Sequence, residues 1–504
     1  MISGEKTFAA IDESIKKTKV GLKKREVSTI TAISAGTATV KGLANVQMAE
    51  LLEFEHGIFG MVQTLDTDEV GVVFINKPDL LKAGDKAKRT NRVLDVPVGD
   101  NLLGRVVNSL GEPLDNKGPV VAKVRRRIET DAYAIMDRAP VDTPLQTGIK
   151  AIDAFTPIGR GQRELILGDR QTGKTAIAVD AIINQKDSGV IGIYCAVGQR
   201  SSAVAGVIAE LNKAGVMKNC VVVAAAADDT AGMQYIAPYA ATAIGEYFME
   251  QGKDVLIVYD DLTNHARAYR EMSLLLRCPP GREAFPGDIF YIHSRLLERS
   301  TKLSAELGGG SLTSLPIVST EAGNISAYIP TNIISITDGQ IYLSTSLYQK
   351  GILPAIDTGR SVSRVGGDAQ LPAYKSLVGP LKLFYSQFEE LEAFTKFGTQ
   401  LDKETLARLN RGQAIRAILE QKQYSPMPVA DQIAVFSATN AGLFDHIAPK
   451  NIKKAEKIVC ATFNLRFKDL IRDIYKGKKL SLAQSSAMIE AFAQVLKAAD
   501  LEQK

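Results

Sequence analysis

The stretch that most constrains the fold of this chain is residues 168–175, which read Gly-Asp-Arg-Gln-Thr-Gly-Lys-Thr. The spacing Gly-x4-Gly-Lys-Thr is typical of a loop that wraps phosphate groups and joins a buried strand to a helix. An apolar run at 164–167 precedes it and another at 176–183 follows it, and these predict the strand and the helix. The chain is therefore predicted to contain an α/β domain built around a phosphate-binding loop.

The residue types in this loop suit the tasks of holding a nucleoside triphosphate. Glycines let the backbone wrap the phosphates, and the amides at the start of the following helix attract the anion. Lys174 has the length to reach the β and γ oxygens, and the Thr175 hydroxyl can bind Mg2+. A glycine-rich turn with a coincidental lysine is the alternative, and it does not account for strand, loop and helix in this order.

Composition argues against several other classes of protein. A length of 504 residues predicts about three domains. The net charge is only +5, from 61 Lys and Arg against 56 Asp and Glu, which does not favour nucleic-acid binding. The four cysteines lack the spacing of a zinc site or a disulfide framework, so we expect a reducing compartment. We find no apolar run of membrane-spanning length, and the charged residues 1–25 do not resemble a targeting peptide.

The first two predicted segments are an extension and a barrel. In residues 1–26, Phe8, Ile11, Ile15 and Leu22 recur at helical spacing, which predicts an amphipathic helical extension. That helix could dock on its own domain or on a partner subunit. Residues 27–93 alternate short β-branched runs with turn residues, which predicts a β-barrel domain.

The remaining segments are a nucleotide-binding domain and a helical domain. In residues 94–379 buried apolar runs alternate with helical patterns, as in a parallel sheet flanked by helices. The predicted strands are 164–167, 190–196, 220–224, 255–259 and 332–336. In residues 380–504 the apolar spacing is helical, at 383–394, 403–421, 455–475 and 483–499, which predicts a helical bundle. The fold class is thus multi-domain α/β.

A second element of a Mg-nucleotide site follows the loop at a distance. Residues 255–260 form an apolar strand that ends in Asp260, and an acid in this position can hold the metal. Asp261 follows directly, and we expect it to point elsewhere because successive side chains of a strand face opposite ways.

Hydrolysis also needs a group that orients or deprotonates the attacking water. The predicted strand at 190–196 leads towards Gln199, whose amide can bind a water but cannot take its proton. The pocket is therefore predicted to bind ATP without rapid turnover. The alternative is that glutamine orients the water, as it does in some GTPases.

Arg364 lies far downstream in a stretch rich in serine and glycine, residues 361–367. A lone arginine in such a loop is usually a surface residue. A guanidinium with small neighbours is also what an arginine finger requires, and fingers contribute about 10³ to 10⁵ in rate at another subunit's phosphate.

Taken together, several segments resemble the alpha subunits of the F1 sector of rotary F-type ATP synthases. They are residues 157–165, 168–175, 259–262, 279–288, 334–340 and 361–364. The resemblance covers nearly the whole chain. It separates this chain from the catalytic beta subunits, which carry glutamate in place of Gln199.

The resemblance implies a RecA-like central domain with a non-catalytic site for ATP or ADP and Mg2+. The nucleotide-binding residues it implies are Gly168, Asp169, Arg170, Gln171, Thr172, Gly173, Lys174, Thr175, Gln199, Gln421 and Gln423. Thr175 and Asp260 would bind the metal. Arg364 would reach the catalytic site of an adjacent beta subunit, with Ser335, Ser361 and Ser363 in support.

The family also implies partners and a location. Alpha subunits alternate with beta subunits in an α3β3 hexamer around a gamma shaft, and their N-termini meet a delta subunit. The complex couples ATP synthesis or hydrolysis to proton or sodium transport through a membrane Fo sector. We therefore expect a peripheral protein on the cytoplasmic face of a bacterial inner membrane, with no nucleic acid partner and with little activity as an isolated chain.

Four positions depart from the usual alpha pattern: Glu321, Asn324, Ser344 and Leu353. These differences favour a diverged branch, such as the alternate N-type F-ATPases, and they put an arginine contact at the non-catalytic adenine pocket in doubt.

Two other classes of ATPase share the nucleotide-domain fold. A self-sufficient hexameric ATPase of the secretion or flagellar type would be expected to keep a carboxylate in place of Gln199. A ring helicase of the transcription-terminator type would need RNA contacts, but residues 27–93 show neither a basic stripe nor interleaved aromatic residues.

Overall fold

The computed structural model describes residues 26–395 and 402–499, and the side chains of residues 393–395 are not described. The predicted N-terminal extension lies outside the described residues apart from Glu26, as does the side chain of Phe394. The chain divides into two compact units, one up to Val93 and one from Leu94 onwards. Each unit is described by itself.

The first unit is a closed six-stranded β-barrel, as predicted. Its strands are β1 (Val27–Ser34), β2 (Thr37–Lys41), β3 (Glu50–Phe54), β4 (Phe59–Leu65), β5 (Val70–Phe74) and β6 (Lys86–Val93). They close in the order β1-β2-β5-β4-β3-β6. Apolar side chains such as Val40, Leu52 and Phe74 fill the interior, because alternate residues of each strand face inward.

The second unit contains an eight-stranded sheet in the order β18-β17-β12-β16-β15-β13-β14-β8. Its strands are β8 (Val106–Val107), β12 (Leu165–Asp169), β13 (Ile191–Gln199), β14 (Cys220–Ala226), β15 (Asp254–Asp260), β16 (Ser311–Thr320), β17 (Gly339–Leu343) and β18 (Val362–Ser363). All neighbouring strands run parallel except β17 and β18, which are antiparallel. Short pairs form from β7 (Asp95–Val98) with β9 (Val124–Arg127), and from β10 (Pro144–Leu145) with β11 (Ile158–Gly159).

Helices connect the strands of this sheet. They are α1 (Lys150–Phe155), α2 (Lys174–Ile183), α3 (Ser201–Ala214), α4 (Ala231–Met249), α5 (Leu262–Leu275), α6 (Ile289–Leu297), α7 (Tyr328–Ile336) and α8 (Thr345–Gln349). The strands β12 to β15 are buried along almost their whole length, as expected for a parallel sheet covered on both faces. The predicted strands at 164–167, 190–196, 220–224 and 255–259 correspond to β12, β13, β14 and β15.

The predicted strand at 332–336 is wrong, because these residues form the end of helix α7. Ile329, Ile333 and Ile336 are buried while Ser335 is exposed, and this spacing places the apolar side chains on one helical face. A short apolar run with isoleucine does not by itself distinguish strand from helix. The strands that belong to this region are β16 and β17, which flank β12.

The C-terminal region is helical, as predicted. Its helices are α9 (Pro372–Thr395), α10 (Lys403–Leu419), α11 (Val429–Asn440), α12 (Pro449–Arg466), α13 (Lys468–Tyr475) and α14 (Leu482–Ala498). The predicted boundary between residues 379 and 380 falls inside α9. Helix α11 was not predicted, and the predicted helix at 455–475 is two helices that meet at Phe467.

Candidate functional site

The loop of residues 168–175 joins the carboxyl end of β12 to the amino end of α2. Gln171 and Gly173 have positive φ angles of 64° and 100°, which turn the backbone sharply into the helix. Gly168 has no room for a side chain, because a Cβ there would lie 2.7 Å from the Leu343 carbonyl oxygen. The strand, loop and helix predicted from the sequence are therefore present.

Lys174 is buried, and its ammonium group is bound by the loop itself. Nζ donates to the carbonyl oxygens of Gly168 at 2.8 Å and Asp169 at 2.6 Å. Burial lowers the pKa of Lys174, while the nearby carboxylates of Asp261, Asp260 and Asp169 favour the protonated form. The positively charged ammonium group of Lys174 therefore lies within the loop.

The carboxylate of Asp169 anchors the loop to neighbouring strand ends. It accepts hydrogen bonds from the Thr320 hydroxyl at 2.6 Å, the Thr345 hydroxyl at 2.7 Å and the Gly323 amide at 2.8 Å. Burial opposes ionisation, yet these hydrogen bonds hold the pKa of Asp169 below its usual value. The Asp169 side chain therefore faces protein groups, whereas Arg170 and Gln171 are exposed.

Thr175 and Asp260, the two predicted metal-binding residues, are in direct contact. The Thr175 hydroxyl donates to Asp260 Oδ2 at 2.7 Å, and the Tyr194 hydroxyl donates to the same oxygen at 2.8 Å. Burial and the adjacent Asp261 raise the pKa of Asp260 to about 6. These contacts follow from the parallel order of the sheet, in which the carboxyl ends of β12, β13 and β15 share one edge.

Gln199 and Asp261 flank this pair. Gln199 Nε2 donates to Asp260 Oδ1 at 3.0 Å, so the amide is bound to the predicted metal-binding acid. Asp261 was expected to point elsewhere, yet its carboxylate also lies near Lys174. It accepts from the Asn264 amide at 2.8 Å at the start of α5 and from Ser319 Oγ at 2.9 Å.

A largely apolar pocket opens beside the loop. Thr172, Gly173, Ala176 and Ile177 form one wall, and residues from distant parts of the sequence form the others: Ile149, Asp180, Leu343, Leu353, Pro354, Gln421, Lys422 and Gln423. Its empty volume, which includes open solvent at the mouth, is about 390 Å³. The structure thus brings Gln421 and Gln423 to the predicted phosphate loop.

The two glutamines of this pocket are held differently. The Gln421 side chain is fully engaged within the protein, since Nε2 donates to the Gly148 carbonyl at 2.7 Å and to the Ser425 carbonyl at 2.8 Å. Its Oε1 accepts from the Lys150 amide at 3.1 Å. Gln421 therefore fixes the wall of the pocket, and Gln423 lies further along the same wall.

Asp180 lines the same pocket and was not predicted as a site residue. It is 6 % exposed, and within the described residues its Oδ1 has no hydrogen-bond partner. Burial raises the pKa of Asp180 to about 6, against hydrogen bonds from the backbone of Tyr424 and Ser425. An acid in an otherwise apolar stretch of α2, six positions after Lys174, is the feature of the sequence that could have indicated it.

Arg364 lies at the opposite edge of the sheet. It follows β18, which pairs with the beginning of β17 through Gly339 and Ser363, and its amide donates to the Asp338 carbonyl at 2.8 Å. The side chain is exposed. The structure therefore does not bring Arg364 to the loop of residues 168–175, which lies at the carboxyl ends of the strands.

The three predicted serines have separate surroundings. Ser361 is buried, with Oγ donating to the Asp357 carbonyl at 2.6 Å. Ser363 Oγ donates to the Pro157 carbonyl at 2.7 Å. Ser335 is exposed on α7 and bonds only the Asn332 carbonyl of its own helix, at 2.7 Å, among the contacts of the described residues. Ser363 and Ser335 lie towards the Arg364 edge, whereas Ser361 supports the strand.

The helices of the described ranges include none that is both long and apolar enough to cross a membrane. These ranges also contain no group of three or more His, Cys, Asp and Glu side chains that could hold a metal ion by themselves.

Comparison with protein families gives three successive matches. Residues 25–91 match the ATP synthase alpha/beta family, beta-barrel domain. Residues 148–363 match the ATP synthase alpha/beta family, nucleotide-binding domain, and residues 370–495 match the ATP synthase alpha/beta chain, C terminal domain.

Individual relatives align over nearly the full length of the chain. ATP synthase subunit alpha 2 of Syntrophus aciditrophicus (strain SB) is 55% identical over 97% of this chain and 94% of its own length. ATP synthase subunit alpha 1 of Marinomonas sp. (strain MWYL1) is 56% identical over 97% of this chain and 96% of its own length. ATP synthase subunit alpha 2 of Albidiferax ferrireducens is 59% identical over 91% of this chain and 86% of its own length.

Proposed function

Because this chain belongs to the ATP synthase alpha/beta family, among its alpha subunits, we propose that it is a regulatory, non-catalytic subunit of a rotary F-type ATP synthase. In this function it binds Mg-ATP in its own pocket and supplies Arg364 to the catalytic site of a neighbouring beta subunit. The observation that carries the proposal is the separation of the phosphate loop and Arg364 to opposite edges of one sheet.

The chemistry of the loop supports the nucleotide site. The buried Lys174 ammonium and the amides at the start of α2 suit a triphosphate, and the apolar pocket beside Gly173 suits a base. The nucleotide-binding set we propose is the loop of residues 168–175 with Gln199, Gln421 and Gln423. Within this set the Asp169 carboxylate and the Gln421 amide act by holding the loop and the pocket wall.

The donor set at Thr175 and Asp260 fits Mg2+. A hydroxyl and a buried carboxylate 2.7 Å apart are hard oxygen ligands, and Mg2+ in nucleotide sites takes few protein oxygens together with phosphate oxygens and waters. Bound there, the ion would offset phosphate charge. Thr175 and Asp260 would hold it, and Tyr194 and Gln199 would keep the Asp260 carboxylate oriented.

Slow chemistry in this pocket follows from Gln199. Its amide is bound to Asp260 and cannot take a proton from water. The acids near Lys174 are already hydrogen-bonded: Asp260 accepts from Thr175 and Tyr194, and Asp261 accepts from Asn264 and Ser319. This arrangement supports binding without rapid turnover.

Arg364 supports a role towards another subunit. In the described ranges its guanidinium makes no hydrogen bond or ion pair, and its side chain is exposed. An unpaired guanidinium beside small residues can approach a phosphate of a second molecule, as arginine fingers do. Ser335 and Ser363 lie towards this edge and Ser361 braces the strand behind it.

The remaining parts of the proposal follow from the family. They are an α3β3 hexamer with beta subunits around a gamma shaft, and a delta subunit that meets the N-terminal extension. Proton or sodium transport would occur through the membrane Fo sector, with this chain peripheral on the cytoplasmic face of a bacterial inner membrane. Glu321, Asn324, Ser344 and Leu353 support a diverged branch of the family, and Leu353 forms part of the pocket wall.

The test is Mg-ATP turnover by the purified chain alone and then mixed with its beta-type and gamma-type partners. We expect no sustained turnover alone and activity after mixing. Sustained turnover by the isolated chain, at about 1 to 10³ per second, would contradict the proposal and indicate an autonomous ATPase.

A further inference from the structure

The backbone on either side of Arg364 is tied to residues 162–164, which lead into β12. Gln162 is fully buried. Its Nε2 donates to Ser363 Oγ at 3.1 Å and to Glu164 Oε2 at 2.7 Å, and its Oε1 accepts from the Gly159 amide at 2.8 Å. One amide side chain thus connects the residue before Arg364 to the start of β12.

A second tie runs through Asp338. The Asp338 carbonyl accepts from the Arg364 amide at 2.8 Å, while its carboxylate accepts from Arg163 Nε at 3.0 Å and from the Arg163 amide at 3.0 Å. Arg364 is therefore held through its backbone from two directions, although its guanidinium is free of hydrogen bonds in the described ranges.

Glu164 lies directly behind this backbone. It is fully buried, and in the described part of the chain its Oε1 has no hydrogen-bond partner. A Cβ added at Gly339 would come within 2.6 Å of Glu164 Oε2 and within 2.2 Å of the Val362 carbonyl oxygen. The acid is thus packed tightly against the start of β17, where that strand pairs with β18.

The charged groups that face Glu164 are Asp338 and Arg364. Burial and the Asp338 carboxylate raise the pKa of Glu164 well above its usual value, against the hydrogen bond from Gln162 and the charge of Arg364. Asp338 is itself paired with Arg163 at 2.8 Å. Burial thus favours the uncharged form of Glu164, which would not draw the positive charge of Arg364 towards the interior.

We propose that Gln162 and Glu164 are positioning residues for Arg364. Gln162 fixes Ser363 and so the direction in which Arg364 leaves the sheet. Glu164 fills the buried space behind the strand, where Gln162 Nε2 donates to its Oε2, and leaves the guanidinium available to the neighbouring subunit. This inference rests on the proposed function of Arg364.

The mechanism predicts opposite effects for the two forms of the acid. A buried carboxylate within reach of Arg364 would attract the guanidinium strongly, because charges interact more strongly away from water. Ionisation of Glu164 as pH rises should therefore withdraw Arg364 and lower turnover. A glutamine at this position keeps the acceptor for Gln162 and cannot ionise.

The experiment measures steady-state ATP hydrolysis by the assembled complex carrying variants of this chain. We expect Gln162→Ala to lower kcat at least tenfold with KM within about threefold, and Glu164→Gln to retain turnover within about twofold at pH 7. As pH rises, turnover of the wild type should fall relative to Glu164→Gln. Gln340→Ala is the control, since its amide reaches only the Arg360 carbonyl, at 3.3 Å, in the described residues, and it should leave kcat within twofold.

Two further variants allow the proposal to be tested even if Gln162→Ala does not assemble. Ser363→Ala removes the hydroxyl that Gln162 binds, so if Gln162→Ala does not assemble, Ser363→Ala should still lower kcat with nucleotide binding by this chain unchanged. Arg364→Ala tests the proposed function itself.

Four results are distinguishable. Loss of turnover in Arg364→Ala with normal turnover in Gln162→Ala and Ser363→Ala would overturn the positioning role of Gln162 and leave the arginine finger standing. A loss of more than tenfold in Glu164→Gln at pH 7 would show that the ionised carboxylate is required. Parallel pH profiles of the wild type and Glu164→Gln would overturn the role of the uncharged acid. Normal turnover in Arg364→Ala would instead overturn the proposed function.

Discussion

The two edges of the central sheet are built differently. At the carboxyl edge the polar groups satisfy one another: Lys174 bonds loop carbonyls, and Asp260 accepts from Thr175, Tyr194 and Gln199. At the amino edge the backbone around Arg364 is tied down while its guanidinium is exposed and, in the described ranges, without a hydrogen bond or an ion pair. At the carboxyl edge these polar groups are hydrogen-bonded to one another, whereas at the amino edge the guanidinium of Arg364 has no such partner in the described ranges.

This contrast suits two different tasks: binding a ligand at the carboxyl edge, and contacting a neighbouring molecule from the amino edge. A preorganised set of internal hydrogen bonds lowers the cost of ordering a site when a ligand enters. An exposed guanidinium held by rigid backbone has little to bond within its own chain, and it can contribute to a phosphate supplied by a neighbour. Under the proposed function, the same fold would bind nucleotide at its carboxyl edge and would supply an arginine to a neighbouring subunit from its amino edge.

The largest expected effect is at the amino edge. We expect Arg364→Ala to reduce steady-state hydrolysis by the assembled complex by about 10³-fold or more, because the positive charge opposite the reacting phosphate is lost. Nucleotide binding by this chain should not change, since Arg364 lies at the other edge of the sheet. Turnover of the complex and nucleotide titration of the isolated chain are the measurements.

Arg360→Ala is the matched control for that variant. Arg360 is an exposed arginine of the same segment, with its side chain 61% exposed and 3.7 Å from Asp357, so its removal should change turnover by less than about threefold. Equal losses in both variants would indicate a general effect of charge on this surface and would contradict the finger.

The next effect belongs to the carboxyl edge. Lys174→Ala should weaken nucleotide binding by this chain about 10- to 100-fold, because a charged hydrogen-bond donor contributes about 1.5–3 kcal/mol. Hydrolysis by the complex should be reduced far less than in Arg364→Ala. Lys186→Ala, at an exposed lysine just beyond α2, should leave affinity unchanged. Complete loss of turnover in a correctly assembled Lys174→Ala complex would show that this pocket is catalytic.

Features carried by contiguous residues could be predicted from the sequence. The loop of residues 168–175 depends on local spacing, and Asp260 was found because an apolar strand ends in an acid. Both sites therefore follow from rules that act over fewer than ten neighbouring residues. The barrel and the helical region follow from the same periodicities.

Features that depend on strand order could not be predicted in this way. The neighbours of β12 are β16 and β17, and β16 was missed because serine and threonine alternate with its apolar residues, as in a loop. Because a strand was predicted at 332–336, the strands β17 and β18 that form this side of the sheet were not predicted. Without β17 and β18 the sequence could not indicate that Arg364 lies opposite the phosphate loop.

The directions in which side chains point could not be predicted from the sequence either. Asp169 and Gln421 were expected to face the nucleotide, yet their polar atoms bind Thr320, Thr345 and the Gly148 carbonyl. These contacts join positions more than 150 residues apart. Asp180 was missed for the same reason, because the pocket that surrounds it is assembled from separate segments.

Asp180 differs from the other polar groups near the loop because, in the described residues, its Oδ1 has no hydrogen-bond partner. Its replacement gives the smallest expected effect, a change in stability. Its folded pKa of about 6 lies above the value of about 3.9 for an unfolded aspartate. The folded chain therefore binds the extra proton between about pH 4 and pH 6, so the contribution of Asp180 to stability decreases as pH rises through this window. Above it, the ionised carboxylate costs about 1 to 2 kcal/mol after allowance for solvent screening.

Asp180→Asn removes that cost, since the amide cannot ionise. We expect the nucleotide-free variant to be more stable than the wild type at pH 8, with a melting temperature higher by roughly 2 °C, and this difference to shrink as pH falls through about 6 towards about 4. Asp187→Asn, at an exposed acid after the same helix, should show no such difference. A stability gain for Asp180→Asn that persists unchanged at about pH 4 would mean that improved packing, and not the buried charge, is responsible.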